Sequence, residues 1–435
     1  MESTLNRKTY HAIFCFYQIS LVFLPLSFAT KLILGIPSIT WIEPTLIINF
    51  LIFPFQIPTL KFSDALALIC ATLLFPTIVI VFSLISLISL DPAPFSKTLV
   101  EIARLSLCSI FAFNSYNFLS QTNFRKRAYF TIGVSGTLQL LFAIYIISTP
   151  FLPVPTLSSL KEYAIEYLYR QSVFGFGIPI PRLGGTFIES PPFGLFMLCV
   201  LMVSIFNFRE FKTKSSVFFI LASSFGTLAS LSSQVLLSAI LIGGIFYFRS
   251  RFAKKNILFF NITFLIAVVF LVTCYLALPY FSQKYTEFIT GQFSGTSFGE
   301  RYFHLEKSLD LLSQNIRILI IGIGAGNFGF YSAKDGIFPD TVTPQFIVSE
   351  ILVENGILGL TIFLFTILFI IKKINKGMGY YGVLLFLALF FANSFQSNWK
   401  QPSFFLLLSL LLAIASKERV YNLPSNAEMI TIKTH

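Results

Sequence analysis

What most limits the folds open to this chain is a recurrence. Apolar stretches about twenty residues long return from one end to the other, separated by short polar or proline-bearing turns. An α-helix rises about 1.5 Å per residue, so a stretch of that length crosses a hydrocarbon layer about 30 Å thick. Hydrophobic residues make up 55% of the chain and charged residues 11%, whereas soluble domains carry about 25% charge. A soluble core could not hide that much apolar surface, but lipid accepts it on every helix. The expected fold is therefore an all-α, polytopic membrane helix bundle, a single membrane domain over residues 1–435. About twelve spans are expected, at 12–30, 44–60, 65–90, 98–120, 128–149, 191–208, 215–230, 233–248, 257–279, 344–371, 378–396 and 401–416.

Lys and Arg fall in alternate turns. Arg7/Lys8, Lys61, Arg125/Lys126/Arg127, Arg209/Lys212/Lys214, Arg249/Arg251/Lys254/Lys255, Lys372/Lys373/Lys376 and Lys417/Arg419/Lys433 all belong on one side. Basic residues in short loops are retained in the cytoplasm, which predicts that both termini are cytoplasmic. Topology also accounts for the net charge of +12, so no nucleic-acid partner is expected. Cys15, Cys70, Cys108, Cys199 and Cys274 all lie in apolar spans without metal-ligand spacing. They read as small core residues, and no metal or cofactor is expected. The first span is longer than the apolar region of a signal peptide and is read as retained.

Two connections, 150–190 and 280–343, greatly exceed the usual few residues. Both fall on the non-cytoplasmic side, where short helices within them would form a cap over an active site. The first ends in Arg182-Leu183-Gly184-Gly185, followed by Glu189-Ser190-Pro191-Pro192. An arginine between proline and paired glycines suits anchoring an anion, although, taken alone, snorkelling at the membrane interface is the simpler reading. The second carries Glu300-Arg301-Tyr302-Phe303-His304, whose continuation has the spacing of an amphipathic interfacial helix. Gly324-Ala325-Gly326-Asn327-Phe328-Gly329 formally matches a dinucleotide fingerprint but lacks its strand-helix-strand setting. Gly324 and Gly326 instead predict a turn offering backbone N–H groups to phosphate oxygens. In the following span Glu350 and Glu354 share one helix face, where carboxylates are costly and need partners. Arg182 and Arg301 are the candidates. Glu101 and Arg104, one turn apart, can neutralise each other.

Taken in order, four features resemble the O-antigen polymerase and O-antigen ligase superfamily of bacterial membrane glycosyltransferases. They are Arg182 to Pro192, the serine patch Ser230 to Gln234, Arg301 with the glycine turn ending at Gly326, and Glu354-Asn355-Gly356-Ile357-Leu358-Gly359. The resemblance covers roughly 170–395, and beyond it only apolar spans agree. It implies a metal-independent, inverting transfer from an undecaprenyl-diphosphate-linked oligosaccharide at the outer face of the bacterial cytoplasmic membrane. Arg182 and Arg301 would clamp the diphosphate. Gly324, Gly326 and Gln345 would line the substrate site. Glu350, Glu354, Glu189 and His304 would be the choices for general base. The ligase branch commonly has a histidine nine residues before the glutamate matched by Glu354, where this chain has Gln345. A polymerase of repeat units is therefore expected ahead of a ligase acting on a lipid or protein acceptor. A flippase for lipid-linked oligosaccharide is the reading from another class. The bilayer and a chain-length regulator protein are the other candidate partners.

Overall fold

The computed structural model describes residues 7–27, 44–56, 79–81, 83–85, 95–150, 172–175, 178–184, 187, 190–252, 297–333, 344, 346–394 and 400–422. The expected span 257–279, most of 65–90, and the candidates Glu189 and Gln345 lie outside them. Long runs of Leu, Ile, Phe and Ala with few internal prolines fold as helices: α1 (Arg7–Val22), α2 (Pro44–Gln56), α3 (Phe95–Ser120) and α4 (Thr122–Ser148). A second group follows: α5 (Ser190–Phe211), α6 (Lys214–Ala229) and α7 (Ser233–Phe252). Three short helices precede the last long ones: α8 (Ser297–Gln314), α9 (Ile316–Ile321) and α10 (Phe328–Ala333), then α11 (Ile347–Ser394) and α12 (Pro402–Asn422). Among the described residues four helices are long and apolar enough to cross a membrane: α3 from Thr98, α4, α5 and α11. The break expected at Ser230–Gln234 separates α6 from α7, with Leu231 at a positive φ of 47°.

The outer surface suits lipid. Phe365 is 67% exposed, Leu368 60% and Leu141 57%, an apolar exterior that water would penalise. Polar side chains turn inward and join helices: Asn114 Nδ2 donates to Asn49 O (2.9 Å), Asn49 Nδ2 to Ser20 Oγ (2.9 Å), and Thr45 Oγ1 to Ser20 O (2.9 Å). Such bonds tie α1, α2 and α3 where no hydrophobic force drives helices together. At the centre lies α5, buried on every side from Ser190 to Asn207 and packed against α4, α6, α7 and α12.

Two features depart from a plain reading of the helix pattern. First, α11 cannot be one straight rod. From Glu350 to Ser394 a straight helix would run about 66 Å at about 1.5 Å per residue, yet Lys400, six residues on, lies 2.6 Å from Glu350. A link of six residues reaches at most about 22 Å, so the chain must double back. It does so at Gly379, whose φ of 67° and ψ of −167° are non-helical. The spans expected at 344–371 and 378–396 are thereby two antiparallel arms. Second, within the connection 150–190, expected to hold short helices, the described residues of 172–181 form a two-stranded antiparallel ladder, β1 (Ser172–Gly175) with β2 (Ile178–Pro181), in register from Ser172↔Pro181 to Gly175↔Ile178, while 151–171 lies outside the described residues. Pro179 and Pro181 lack the N–H that a helix interior needs, which excludes the helical alternative there. The connection 280–343 does hold short helices, α8, α9 and α10.

The other interruption of α11, at Gly356 (φ 67°), coincides with a backbone crossing. A Cβ on Gly356 would sit 2.2 Å from Ile320 O, and one on Gly322 (φ 79°) 2.3 Å from Glu354 O. Gly356→Ala should therefore destabilise the protein by about 2 kcal/mol or more, from strained backbone and overlap together. Gly244→Ala, whose Cβ meets nothing within 4 Å, serves as the control. Melting temperatures in detergent check this, and equal values for the two variants would contradict the crossing.

Candidate functional site

The crossing builds the site. In an unbroken helix the carbonyls of Val353 and Glu354 would accept from residues four positions on; the break at Gly356 releases them. The turn after α9 takes them up: Ile323 N–H donates to Val353 O (2.9 Å) and Gly324 N–H to Glu354 O (2.8 Å). Gly326 N–H donates to the Glu354 carboxylate at Oε1 (2.9 Å), and Ala325 N–H to Ser83 Oγ (2.9 Å). Gly322 N–H closes back on Ile318 O (2.8 Å). Asn327 fixes the end of the turn, its Nδ2 donating to Ile323 O (2.9 Å) and its Oδ1 accepting from Thr98 Oγ1 (3.1 Å). The amides of Gly324 and Gly326, expected to face phosphate, are thus donated within the protein, and the anion held by the turn is Glu354.

The second oxygen of that carboxylate belongs to a charge cluster. Lys400 Nζ lies 2.6 Å from Glu350 Oε1, 3.1 Å from Glu101 Oε2 and 3.4 Å from Glu354 Oε2. Glu350 and Glu354 are each 1% exposed and Lys400 6%. Burial alone would depress the Lys400 ammonium, but the carboxylates of Glu101, Glu350 and Glu354 outweigh it and hold the amine well above the usual lysine range. The sequence demanded partners for Glu350 and Glu354, and the described one is Lys400, which that reading did not name. Glu101 likewise joins the cluster as well as facing Arg104. The signal for Lys400 was its isolation: a lone lysine in the short turn Asn398-Trp399-Lys400-Gln401-Pro402, on the side where the charge pattern expects none.

Arg182 follows β2 directly, eight residues before the central helix begins at Ser190. Its Nε donates to Ser230 O (3.1 Å), and Leu183 N–H to Ala229 O (2.9 Å), so the arginine-glycine segment is joined to the serine patch. Arg301 lies in α8, where only its backbone is described. His304, 5% exposed, faces the Phe328 ring edge-on at 6.0 Å between centroids, beside the apolar cluster of Leu311, Leu312, Ile318, Ile323, Phe328 and Val353. Burial pushes its imidazole below the usual histidine value of 6.5. No group of His, Cys, Asp and Glu able to hold a metal occurs among the described residues. No protein-family model matches the chain, and no curated protein matches it.

Removing Lys400 would strand buried carboxylates. Lys400→Met should destabilise the protein by about 3–5 kcal/mol, and adding Glu350→Gln should return part of that loss. Thermal unfolding of both variants checks the order, and a double variant no more stable than the single would count against the cluster. A second expectation concerns acid. The folded state lowers the His304 pKa, so its contribution to stability is present above about pH 6.5 and is lost as pH falls through the folded value. Melting temperature should drop less between pH 7.5 and 5 in His304→Gln than in the parent protein; parallel curves would refute a buried neutral imidazole.

Proposed function

We propose that this protein is a membrane glycosyltransferase that polymerises undecaprenyl-diphosphate-linked oligosaccharide repeat units at the outer face of a bacterial cytoplasmic membrane, with both termini cytoplasmic. The observation that carries the reading is the pairing of its four motif segments. Arg182 joins the serine patch at Ser230, and the glycine turn at Gly322–Gly326 joins Glu354–Gly356. Segments more than forty residues apart in one pair and about thirty in the other meet by direct hydrogen bonds, which favours two built units over four unrelated coincidences.

In this reading the acceptor hydroxyl attacks the anomeric carbon of the donor. A new glycosidic C–O bond forms as the bond to the diphosphate breaks, and the electron pair leaves on the lipid diphosphate. Arg182 and Arg301 stabilise that developing charge. Glu350 and Glu354 are engaged by Lys400 and Gly326, which suits them to position the turn. His304, held neutral by burial beside the turn, is the described side chain best suited to take the hydroxyl proton. Gln345, in place of the histidine expected of a ligase, favours polymerisation.

Transport of lipid-linked oligosaccharide is the second reading, favoured by the burial of Lys400 with three carboxylates among apolar helices. The two readings separate genetically. A polymerase lacking Arg182 or Arg301 should make single-repeat glycans on the final acceptor and no long chains, at normal protein abundance, since loss of such a cation costs roughly 10²–10³ in rate. Full chain-length ladders from both Arg182→Ala and Arg301→Ala would remove the proposal. Repeat units stranded on the cytoplasmic leaflet in a deletion strain would favour transport.

A further inference from the structure

Far from the Lys400 cluster, at the end of the bundle where Arg125 pairs with Glu210 (2.6 Å), a cavity of about 1190 Å³ opens between the ends of α1, α4, α5 and α6. Its described lining includes Gln18, Lys126, Arg127, Phe130 and Asn207, and among the described lining residues there is no carboxylate. We infer that this cavity binds the headgroup of an anionic glycerophospholipid from the membrane leaflet at the basic end.

Four observations converge on that ligand class. Lys126 and Arg127 are exposed and line the cavity. Arg125, by contrast, is buried and paired with Glu210, so two cations of the basic turn face outward with no acid beside them among the described lining residues. Next, α4 and α6 begin at this cavity, and neither Gln121 nor Thr213 caps its helix with a side-chain hydrogen bond. The first-turn N–H groups and the positive dipole ends of two helices therefore point towards the space. Third, Asn207 is 2% exposed and lines the cavity. A side-chain amide in the lining offers a hydrogen-bonding group to the phosphate or hydroxyls of a phosphatidylglycerol headgroup. Fourth, the cavity wall continues into apolar surface. Phe130 lines it and is 50% exposed; further along α4, Leu138 and Leu141 are 52% and 57% exposed, and Phe218 and Phe225 of α6 are 57% and 52% exposed. A headgroup held by Lys126 and Arg127 would leave its acyl chains on this ridge, which a soluble phosphate compound would not use.

The test uses the full-length protein in detergent with titrated lipid, read by native mass spectrometry. Dioleoyl phosphatidylglycerol should bind about tenfold more tightly than dioleoyl phosphatidylcholine. Lys126→Gln with Arg127→Gln, both exposed positions, should abolish that preference while leaving the melting temperature of the lipid-free protein unchanged. No preference in the parent protein, or a preference untouched by the double substitution, would overturn the proposal. So would glycerol phosphate or inorganic phosphate displacing phosphatidylglycerol at equal concentration, since that would make the ligand a soluble anion. None of these outcomes depends on glycan polymerisation, which is read by chain length at the opposite end of the bundle.

Discussion

Lys400 gathers three carboxylates that the chain delivers from separate places: Glu101 from the beginning of α3, Glu350 and Glu354 from the beginning of α11. The lysine itself comes from the link between α11 and α12, so one ammonium joins three helices at a single level. A buried arrangement of this sort contributes little net stability, because desolvation offsets most of the attraction. Its effect lies in geometry. Any other relative height of α3, α11 and α12 would leave a charge buried without a partner, and that is far costlier than a shifted apolar contact.

The glycine turn depends on the same fixation. One Glu354 oxygen faces Lys400 and the other accepts from Gly326, so the charge cluster and the turn share a carboxylate. The Gly322 and Gly356 backbones can approach closely only because neither carries a Cβ. Close approach then lets carbonyls freed by the helix break pair with the turn's amides. Each part of the site thus supplies what another lacks: a broken helix offers acceptors, and a left-handed turn offers donors.

How much of this could be read in the sequence follows from the range of each interaction. The carboxylate pair was legible because Glu350 and Glu354 are one helical turn apart within an apolar run, a purely local fact. The glycine turn was legible as a turn for the same reason. Its partner was not, because nothing local says that Gly326 will meet a side chain 28 positions on. Lys400 was harder still: the reversal was legible from the basic residues Lys372, Lys373 and Lys376 between two apolar spans, but nothing local says that the link after the second arm brings its lysine back to Glu350. The β1–β2 ladder escaped notice because two strands of four residues carry too short a pattern to stand out beside helices of twenty or more.

The burial of α5 on every side from Ser190 to Asn207 bears on how the molecule is assembled. Its neighbours include α4, made before it, and α12, made some two hundred residues later. During synthesis its flanks must therefore rest against lipid until the late helices arrive, and an all-round apolar surface from Pro191 to Val203 lets it wait there at little cost. The polar residues at its ends, Ser190, Ser204 and Asn207, would be the parts least content in that interval. The order in which the ribosome delivers helices is thus a constraint on this segment's composition, separate from any demand made by the finished fold.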